Sequence, residues 1–332
     1  MSVVKIIAEI GNTHEGSLGL AKQFIKSASE CGVDAVKFQI HIFDAESLDS
    51  APNPPYFKDE TRREYFERTS FTQENWRKLK EYAEKDCELE FLASPFSNEA
   101  VALLEAIKVK TYKIASGEVT NLPMLKKIAQ TKKAVLLSSG MSTYKEIDEA
   151  VNYLTKHGCA DLTILQCTSD YPCLPKNAGL NILDDLRKKY PMHNIGYSDH
   201  TRGNAIPIAA VCKGATVIEK HFTLSKKMYG SDAQFSSEPD EFKSLVVAIR
   251  EVEKALTHDV DKDQKAKDLV EMKKTFEKMI VAARDLPKGT VIKEEDLTFK
   301  KPMDGLSAKE YQDLIGIKLT CNYKKNDAIR KN

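Results

Sequence analysis

The fold is decided near the start of the chain, where VVKIIAEIGNTHEGSLGLAKQFIKSASECGVDAVKFQI (3–40) reads as a strand, a helix and a second strand. The two apolar runs are VVKIIAE (3–9) and DAVKFQI (34–40). In the segment between them, LGLAKQFIKSASECG (18–32), apolar side chains recur every three or four residues, and Gly32 ends the pattern. This periodicity and this terminal glycine are typical of an amphipathic helix. A strand–helix–strand unit predicts two parallel strands that are neighbours in one sheet.

The same alternation continues along the chain. Six further apolar runs follow, each separated from the next by a helical pattern or a loop: LEFLAS (89–94), TYKIAS (111–116), AVLLSS (134–139), LTILQCT (162–168), NIGYS (194–198) and TVIEKH (216–221). These runs are too apolar to be solvated on either face, which favours a parallel sheet covered by helices. Eight such units predict the α/β class and a closed (β/α)8 TIM barrel over residues 1–256. An open, doubly wound sheet is the alternative.

Two segments break this rhythm. The Pro-rich, charged stretch 42–72 follows the second strand, which predicts a long loop on the catalytic face of a barrel. Residues 257–278 are strongly charged and predict a linker with some helix. Residues 279–332 contain short β-like runs and a Pro-Lys-Gly turn, and they predict a small β-rich domain that would be marginally stable alone.

Composition narrows the classes of function. Lys and Arg number 50 and Asp and Glu number 49, so no overall field favours nucleic acid or an anionic membrane. No run approaches the roughly 20 apolar residues of a membrane span. The seven cysteines form no C-x-x-C pair, which indicates reduced thiols and a cytoplasmic protein.

Polar and charged side chains gather at the predicted strand ends, where TIM-barrel enzymes place their catalytic groups. Burying a lone lysine or carboxylate there costs several kcal/mol, so the set needs a common explanation. We predict an anionic ligand that is clamped by Lys37 and Lys113 and by serine hydroxyls. A structural layer of ion pairs and a Schiff-base aldolase with a nucleophilic lysine are the alternatives.

Two histidines end neighbouring strands. His200 and His221 could approach each other closely enough to hold Mn²⁺, Mg²⁺ or Fe²⁺ with open positions, which differs from a closed structural zinc site. Histidines that only make hydrogen bonds at strand ends are the alternative. His14, in a loop on the same face, is a third candidate ligand.

Nine motifs occur in an order that resembles the N-acetylneuraminate (sialic acid) synthase family, which includes legionaminic and pseudaminic acid synthases. They are AEIGNTHEGSL, VKFQ, SPFS, YKIASGE, LSSGM, CTSDYP, GYSDHTRG, VIEKHFTL and GSDAQFSSEP. The segment IVAARDLPKGTVIKEEDLTFKKP (280–302) resembles the core of that family's antifreeze-like (SAF) domain.

The resemblance implies an enzyme that condenses phosphoenolpyruvate with an N-acylated mannosamine-type sugar and releases phosphate. The sugar would be N-acetylmannosamine or a 2,4-diacetamido-trideoxyhexose. In this family pattern His200 and His221 would hold Mn²⁺ or Mg²⁺, which would polarise the aldehyde oxygen of the sugar. A related phosphoenolpyruvate-dependent deoxy-ulosonate synthase and a non-catalytic sugar-binding protein are the competing functions.

The resemblance also implies roles for the other strand-end residues. Lys37, Ser94 and Ser198 would bind the phosphoenolpyruvate carboxylate, and Lys113, Ser116 and Ser138 its phosphate. Gln39, Ser169, Tyr171 and Asp232 would contact the sugar. Glu9 and Glu118 would act as acid–base groups or bind sugar hydroxyls.

The C-terminal domain carries one further implication. In relatives, an arginine of this domain reaches the partner's barrel in a domain-swapped homodimer and touches the acyl group of the sugar. Lys301 stands at that position here and keeps the charge without the planar fork of donors. FSSEPDEF (235–242) resembles the pseudaminic branch, whereas GYSDHTRG (196–203) resembles the legionaminic branch, so both sugars stay open.

Overall fold

The computed structural model describes residues 3–53, 59–230 and 232–331, which form two compact units, Met1–Thr257 and His258–Asn332. In the first unit, eight parallel strands pair in chain order, and the eighth pairs with the first. The predicted (β/α)8 barrel is therefore confirmed. The strands are β1 (Lys5–Gly11), β2 (Ala35–Ile40), β3 (Glu90–Pro95), β4 (Thr111–Ile114), β5 (Ala134–Ser138), β6 (Leu162–Cys167), β7 (Asn194–Asp199) and β8 (Val217–His221).

Helices follow every strand of the barrel. They are α1 (Leu18–Glu30), α2 (Phe43–Glu46), α3 (Arg62–Thr69), α4 (Gln73–Glu81), α5 (Asn98–Ala106), α6 (Leu122–Gln130), α7 (Tyr144–Lys156), α8 (Ile182–Lys189), α9 (Ala205–Cys212) and α10 (Pro239–Thr257). Side-chain caps fix several starting points. Ser17 accepts the backbone N–H of Leu20 at the start of α1, and Thr143 forms a capping box with Glu146 at the start of α7. Among the described residues, no helix has the length and apolar character that crossing a bilayer requires.

The interior of the barrel is layered because side chains alternate along each strand. One buried apolar cluster fills its lower part: Ile7, Ala35, Leu92, Leu136, Leu165 and Val217. Gly196 completes this layer on β7, where a Cβ atom would come within 2.5 Å of Leu165 and 2.8 Å of Val217. Two residues further along each strand, the inward positions form what we call the polar floor: Glu9, Lys37, Ser94, Lys113, Ser138, Cys167, Ser198 and Glu219, all of them buried.

The segment 42–72 forms part of the wall above this floor. It contains α2 and α3, and it lines the cavity described below through Glu46, Ser47, Arg62, Tyr65 and Phe66. Residues 54–58 of this segment lie outside the described part of the chain.

The second unit contains the predicted linker and the predicted small domain. Residues 257–278 carry two short helices, α11 (Lys262–Asp268) and α12 (Val270–Phe276). Strand β9 (Met279–Ala282) then pairs antiparallel with β10 (Leu297–Lys300), which agrees with the β-rich prediction. A separate apolar core holds this unit together: Ile280, Ala282, Leu286, Ile292, Leu297, Leu314, Leu319 and Ile329.

Candidate active site

A cavity of about 530 Å³ opens above the polar floor, at the C-terminal ends of the strands. Apart from His14, every barrel residue that the sequence predicted for the site lines it: Glu9, Lys37, Gln39, Ser94, Lys113, Ser116, Glu118, Ser138, Ser169, Tyr171, Ser198, His200, His221 and Asp232. The structure thus brings these side chains together in one place. Their individual roles stay predictions.

Two lysines and two carboxylates form a charge-balanced cluster at the bottom of the cavity. Lys37 Nζ lies 2.7 Å from Glu9 Oε2 and 3.7 Å from Glu219 Oε1. Lys113 Nζ donates to Glu219 Oε1 at 3.1 Å. All four side chains are at most 5% exposed. Because such charges are weakly screened when buried, each lysine is held in place by its carboxylate partner.

The pKa values of Lys37 and Glu219 favour their charged forms. Burial alone would lower the pKa of Lys37, but Glu219 and Glu9 outweigh it and the net pKa is raised. Burial would raise the pKa of Glu219, but Lys113 and Lys37 bring it down to about 2. A Schiff-base nucleophile needs a depressed lysine pKa, so the aldolase alternative does not suit Lys37. A lysine that stays charged suits an anionic ligand.

Serine hydroxyls surround the cluster. Ser94 accepts from Lys37 at 3.3 Å, and Ser198 donates to Glu219 at 3.1 Å. The backbone N–H of Gly140 donates to Ser116 Oγ at 3.1 Å. A Cβ atom at Gly140 would lie 2.7 Å from Ser116 Oγ and 2.4 Å from Ser169 Oγ, so the missing side chain lets both hydroxyls reach this strand end.

His200 and His221 lie side by side with their ring centroids 5.4 Å apart. Nδ1 of His200 donates to the carbonyl oxygen of Thr168 at 2.8 Å, which directs its lone pair to Nε2. Nδ1 of His221 lies 3.7 Å from Asp232 Oδ2. Burial lowers the pKa of His221 more than the nearby carboxylates raise it, so its ring favours the neutral form that binds metals.

This donor set fits a divalent ion with open positions. Metal-binding histidines usually present one nitrogen to the ion while the other contacts a carbonyl or carboxylate group, and both rings have such a group at Nδ1. Within residues 3–53, 59–230 and 232–331, no group of three His, Cys, Asp or Glu could hold a metal. Water and substrate would therefore have to complete the coordination, as at a catalytic site.

Glu219 and Cys167 are the residues of the floor to which the sequence analysis gave no role. Each lies two residues beyond a member of the apolar layer. The alternation of side chains along a strand therefore predicts that both face the interior of the barrel. Burial raises the pKa of Cys167, but His200 and Lys113 lower it by more. Burial lowers the pKa of His200, but Cys167, whose sulfur lies 3.9 Å from its Nδ1, raises it by more.

The upper wall was harder to foresee. His41, Arg62 and Phe96 line the cavity together with Tyr65 and Phe66. They come from loops and from α3, where the sequence offers no periodic signal that points side chains at the cavity. The sequence alone assigns none of them a role in the site.

Two predicted residues lie elsewhere. His14 is fully buried among aromatic rings, stacked on Phe71 with ring centroids 4.7 Å apart, and its Nδ1 accepts the N–H of Gly16. It does not line the cavity among the described residues, so its candidacy as a third ligand was wrong. Lys301 belongs to the second unit, where its ammonium lies 5.1 Å from the ring centroid of Phe276. Its contact with the sugar stays a prediction.

Comparison with known proteins agrees with this geometry. Residues 24–261 match the model of the NeuB family, and residues 277–332 match the SAF domain. The N,N'-diacetyllegionaminic acid synthase of Campylobacter jejuni is 40% identical, over 100% of both chains. The pseudaminic acid synthase of Helicobacter pylori is 33% identical, over 98% of this chain and 96% of the relative.

A solved structure is similar as well. The N-acetylneuraminic acid (sialic acid) synthetase of Leptospira borgpetersenii superimposes with a TM-score of 0.70 at 31% identity, covering 83% of this chain and 93% of that chain. The family model covers most of the barrel unit, and the relatives match along nearly their whole length. The chain therefore belongs to the NeuB family.

Proposed function

We propose that this protein is a nonulosonic acid synthase that condenses phosphoenolpyruvate with an N-acylated mannosamine-type sugar and releases phosphate. The preferred sugar in this proposal carries two acylamino groups, as a 2,4-diacetamido-trideoxyhexose does. The 40% identity to a diacetyllegionaminic acid synthase over the full length of both chains supports that choice. The methylene carbon of phosphoenolpyruvate bonds to the aldehyde carbon, and the aldehyde oxygen takes up a proton. Water adds to the carbon that carries the phosphate and loses a proton, and the C–O bond to phosphate then breaks.

The observation that carries the proposal is the buried pair of charged lysines below the cavity. Phosphoenolpyruvate has a carboxylate and a phosphate, and Lys37 on β2 and Lys113 on β4 offer two cationic positions on the floor. Lys37 with Ser94 and Ser198 would bind the carboxylate. Lys113 with Ser116 and Ser138 would bind the phosphate and stabilise its charge as it leaves.

In this proposal two carboxyl groups handle protons. Burial and the nearby Glu46 raise the pKa of Glu118, and this outweighs the lowering by Asn121 and His41. The raised pKa favours the protonated form of Glu118, which suits a proton donor. Glu9, bonded to Gln39 at 2.8 Å, would accept or return a proton beside the aldehyde. Gln39, Ser169, Tyr171 and Asp232 would bind and orient the sugar.

His200 and His221 would hold Mn²⁺ or Mg²⁺, which when bound supplies a Lewis acid for the aldehyde oxygen. Tyr171 supports their placement, because its ring centroid lies 4.1 Å from that of His200 and 5.8 Å from that of His221. The ring packs against one side of the histidine pair.

The proposal extends to the assembly. A homodimer in which the C-terminal unit of one chain covers the barrel of the other would bring Lys301 to the sugar. Exposed apolar side chains of the second unit, Leu269, Val270, Met272 and Phe276, support a partner contact there. Light scattering after gel filtration tests it: a dimer is expected, and a monomer at micromolar concentration contradicts the swap.

The decisive experiment measures phosphate release from phosphoenolpyruvate across a panel of N-acylated mannosamine-type sugars, with and without EDTA, and identifies the product by mass. We expect release that depends on the sugar and stops with EDTA. Lys113→Met should raise the KM for phosphoenolpyruvate, while Lys110→Met, at a lysine that is 72% exposed, should not. Absence of release with every sugar would contradict the function, and release that EDTA leaves unchanged would contradict the metal.

A further inference from the structure

The upper wall of the cavity contains a histidine that is stacked between two aromatic rings. His41 follows β2 directly and lines the cavity. Its ring lies flat between two phenyl rings, 3.8 Å from Phe66 and 4.1 Å from Phe96 between centroids, with interplanar angles of 5° and 19°. Its side chain is only 8% exposed. The stack fixes the plane of the imidazole and leaves both nitrogens at its edges.

Both nitrogens of His41 have polar partners. Nδ1 lies 2.7 Å from Glu46 Oε1, and Nε2 lies 3.2 Å from Gln39 Oε1. Gln39 in turn donates from Nε2 to Glu9 Oε1 at 2.8 Å, and Glu9 pairs with Lys37. A single hydrogen-bonded chain therefore connects Glu46, His41, Gln39 and Glu9, from the wall to the polar floor.

The chemistry of the two ends fixes the direction of every bond in this chain. An ionised carboxylate only accepts hydrogen bonds. Glu9 therefore requires the NH2 group of Gln39, which turns the amide oxygen toward His41. Glu46 requires a hydrogen on Nδ1, and the amide oxygen requires one on Nε2, so His41 donates from both nitrogens.

We propose that His41 is a positioning residue for the condensation. By donating from Nε2 it keeps the carboxamide of Gln39 turned with its NH2 group toward Glu9, and it thereby holds the Glu9 carboxylate in its working orientation. Without this donor the amide oxygen of Gln39 loses its partner, and the carboxamide is free to rotate away from its hydrogen bond with Glu9. The inference rests on the proposed function, in which Glu9 handles a proton and Gln39 contacts the sugar.

Two substitutions separate positioning from packing. His41→Phe preserves a ring between Phe66 and Phe96 and removes both donors. His41→Gln places an NH2 group near the position of Nε2 and removes the ring. His157→Phe is the matched control, because His157 also stacks on an aromatic ring, that of Tyr153, and lies at the end of α7 outside the cavity.

The expected result is a kcat about 10- to 100-fold lower in His41→Phe, since misplacing a proton-transfer group removes much of its contribution. The KM for phosphoenolpyruvate should change by less than about twofold, because Lys37 and Lys113 are untouched. His41→Gln should keep kcat within about fivefold of the wild type. Full activity in His41→Phe overturns the proposal, and so does an equal loss of kcat in both variants. If His41→Phe fails to fold, a His41→Gln variant that folds but is inactive overturns it.

A spectroscopic measurement does not depend on turnover. In protein labelled with ¹⁵N-histidine, NMR should show two ring N–H signals that disappear together in His41→Gln. A single such signal overturns the proposal. If the wild type releases no phosphate with any sugar, the proposed function fails, while this spectrum still tests the hydrogen-bonded chain.

Discussion

Neutralising Glu219 tests the charge balance of the polar floor. Its carboxylate lies 3.1 Å from Lys113 and 3.7 Å from Lys37, and Ser198 donates to it. Glu219→Gln keeps the shape of the side chain and one acceptor oxygen but removes the charge. Two buried lysines would then face one carboxylate, Glu9.

The size of the effect follows from these distances. At an effective dielectric constant of about 20, an ion pair at such a separation is worth roughly 5 kcal/mol. Desolvation of the carboxylate opposes this by several kcal/mol, and the amide retains part of the hydrogen bonding. Because the lysines stay behind without full compensation, we expect the free energy of unfolding to fall by about 3 to 5 kcal/mol.

Thermal unfolding followed by circular dichroism measures this loss. For a unit of this size, the expected loss lowers Tm by roughly 6 to 20 °C. Glu90→Gln is the matched control, because Glu90 pairs with Lys5 on the same barrel but both side chains are partly exposed, at 22% and 30%. There we expect a loss below about 1 kcal/mol.

The same variant reports on anion binding. With Glu219 neutral, the floor has an excess positive charge, so phosphoenolpyruvate should raise the Tm of Glu219→Gln by more than it raises that of the wild type. A Tm for Glu219→Gln no lower than that of Glu90→Gln would refute the reasoning about the buried pair. An equal or smaller ligand shift would show that the lysines do not bind the anion.

Three further predictions address other parts of the molecule. His221→Ala should weaken Mn²⁺ binding by about tenfold or more, measured by electron paramagnetic resonance of the free ion; unchanged binding would exclude His221 as a ligand. Gly140→Ala should displace the hydroxyls of Ser116 and Ser169 and raise the KM for phosphoenolpyruvate several-fold. An unchanged KM would show that these hydroxyls do not bind the anion. Burial, aided by Arg68, lowers the pKa of His14 from 6.5 to about 3. Below pH 6.5 the unfolded chain therefore binds a proton that the folded protein does not, and the free energy of unfolding falls as the pH drops. Urea unfolding should show the wild type losing about 1 kcal/mol more than His14→Asn between pH 6.5 and about pH 5.5, whereas parallel losses would contradict this.

Much of the barrel and its site could be predicted because both follow from local patterns. Apolar runs separated by helical periodicity predict parallel strands, and parallel strands bring their carboxyl ends to one face. The period of two then places Lys37 and Gln39 on the same side of β2, one above the other. Glu219 obeys the same rule between Val217 and His221, so its position was implied by the sequence although its partners were not.

The partners could not be predicted because they depend on closure and register. Glu9 lies opposite Lys37 only through the register of β1 and β2. Lys113 and Glu219 are 106 residues apart and meet across the barrel, from β4 to β8. His41 meets Phe66 only because α3 packs against the end of β2, and no periodic pattern in 42–72 encodes that contact.

The charged residues of the polar floor are better explained by a role in the reaction than by a contribution to the folding stability of the barrel. Barrel interiors are usually filled by branched apolar side chains, and replacing a buried ion pair by well-packed apolar residues is often neutral or stabilising. Lys113→Met combined with Glu219→Leu removes one positive and one negative charge and leaves Lys37 paired with Glu9. We therefore expect this double variant to recover most of the Tm that Glu219→Gln loses and to release no phosphate from phosphoenolpyruvate. A double variant with a Tm as low as that of Glu219→Gln would show that the pair stabilises the barrel. A double variant that still releases phosphate would show that Lys113 takes no part in the reaction.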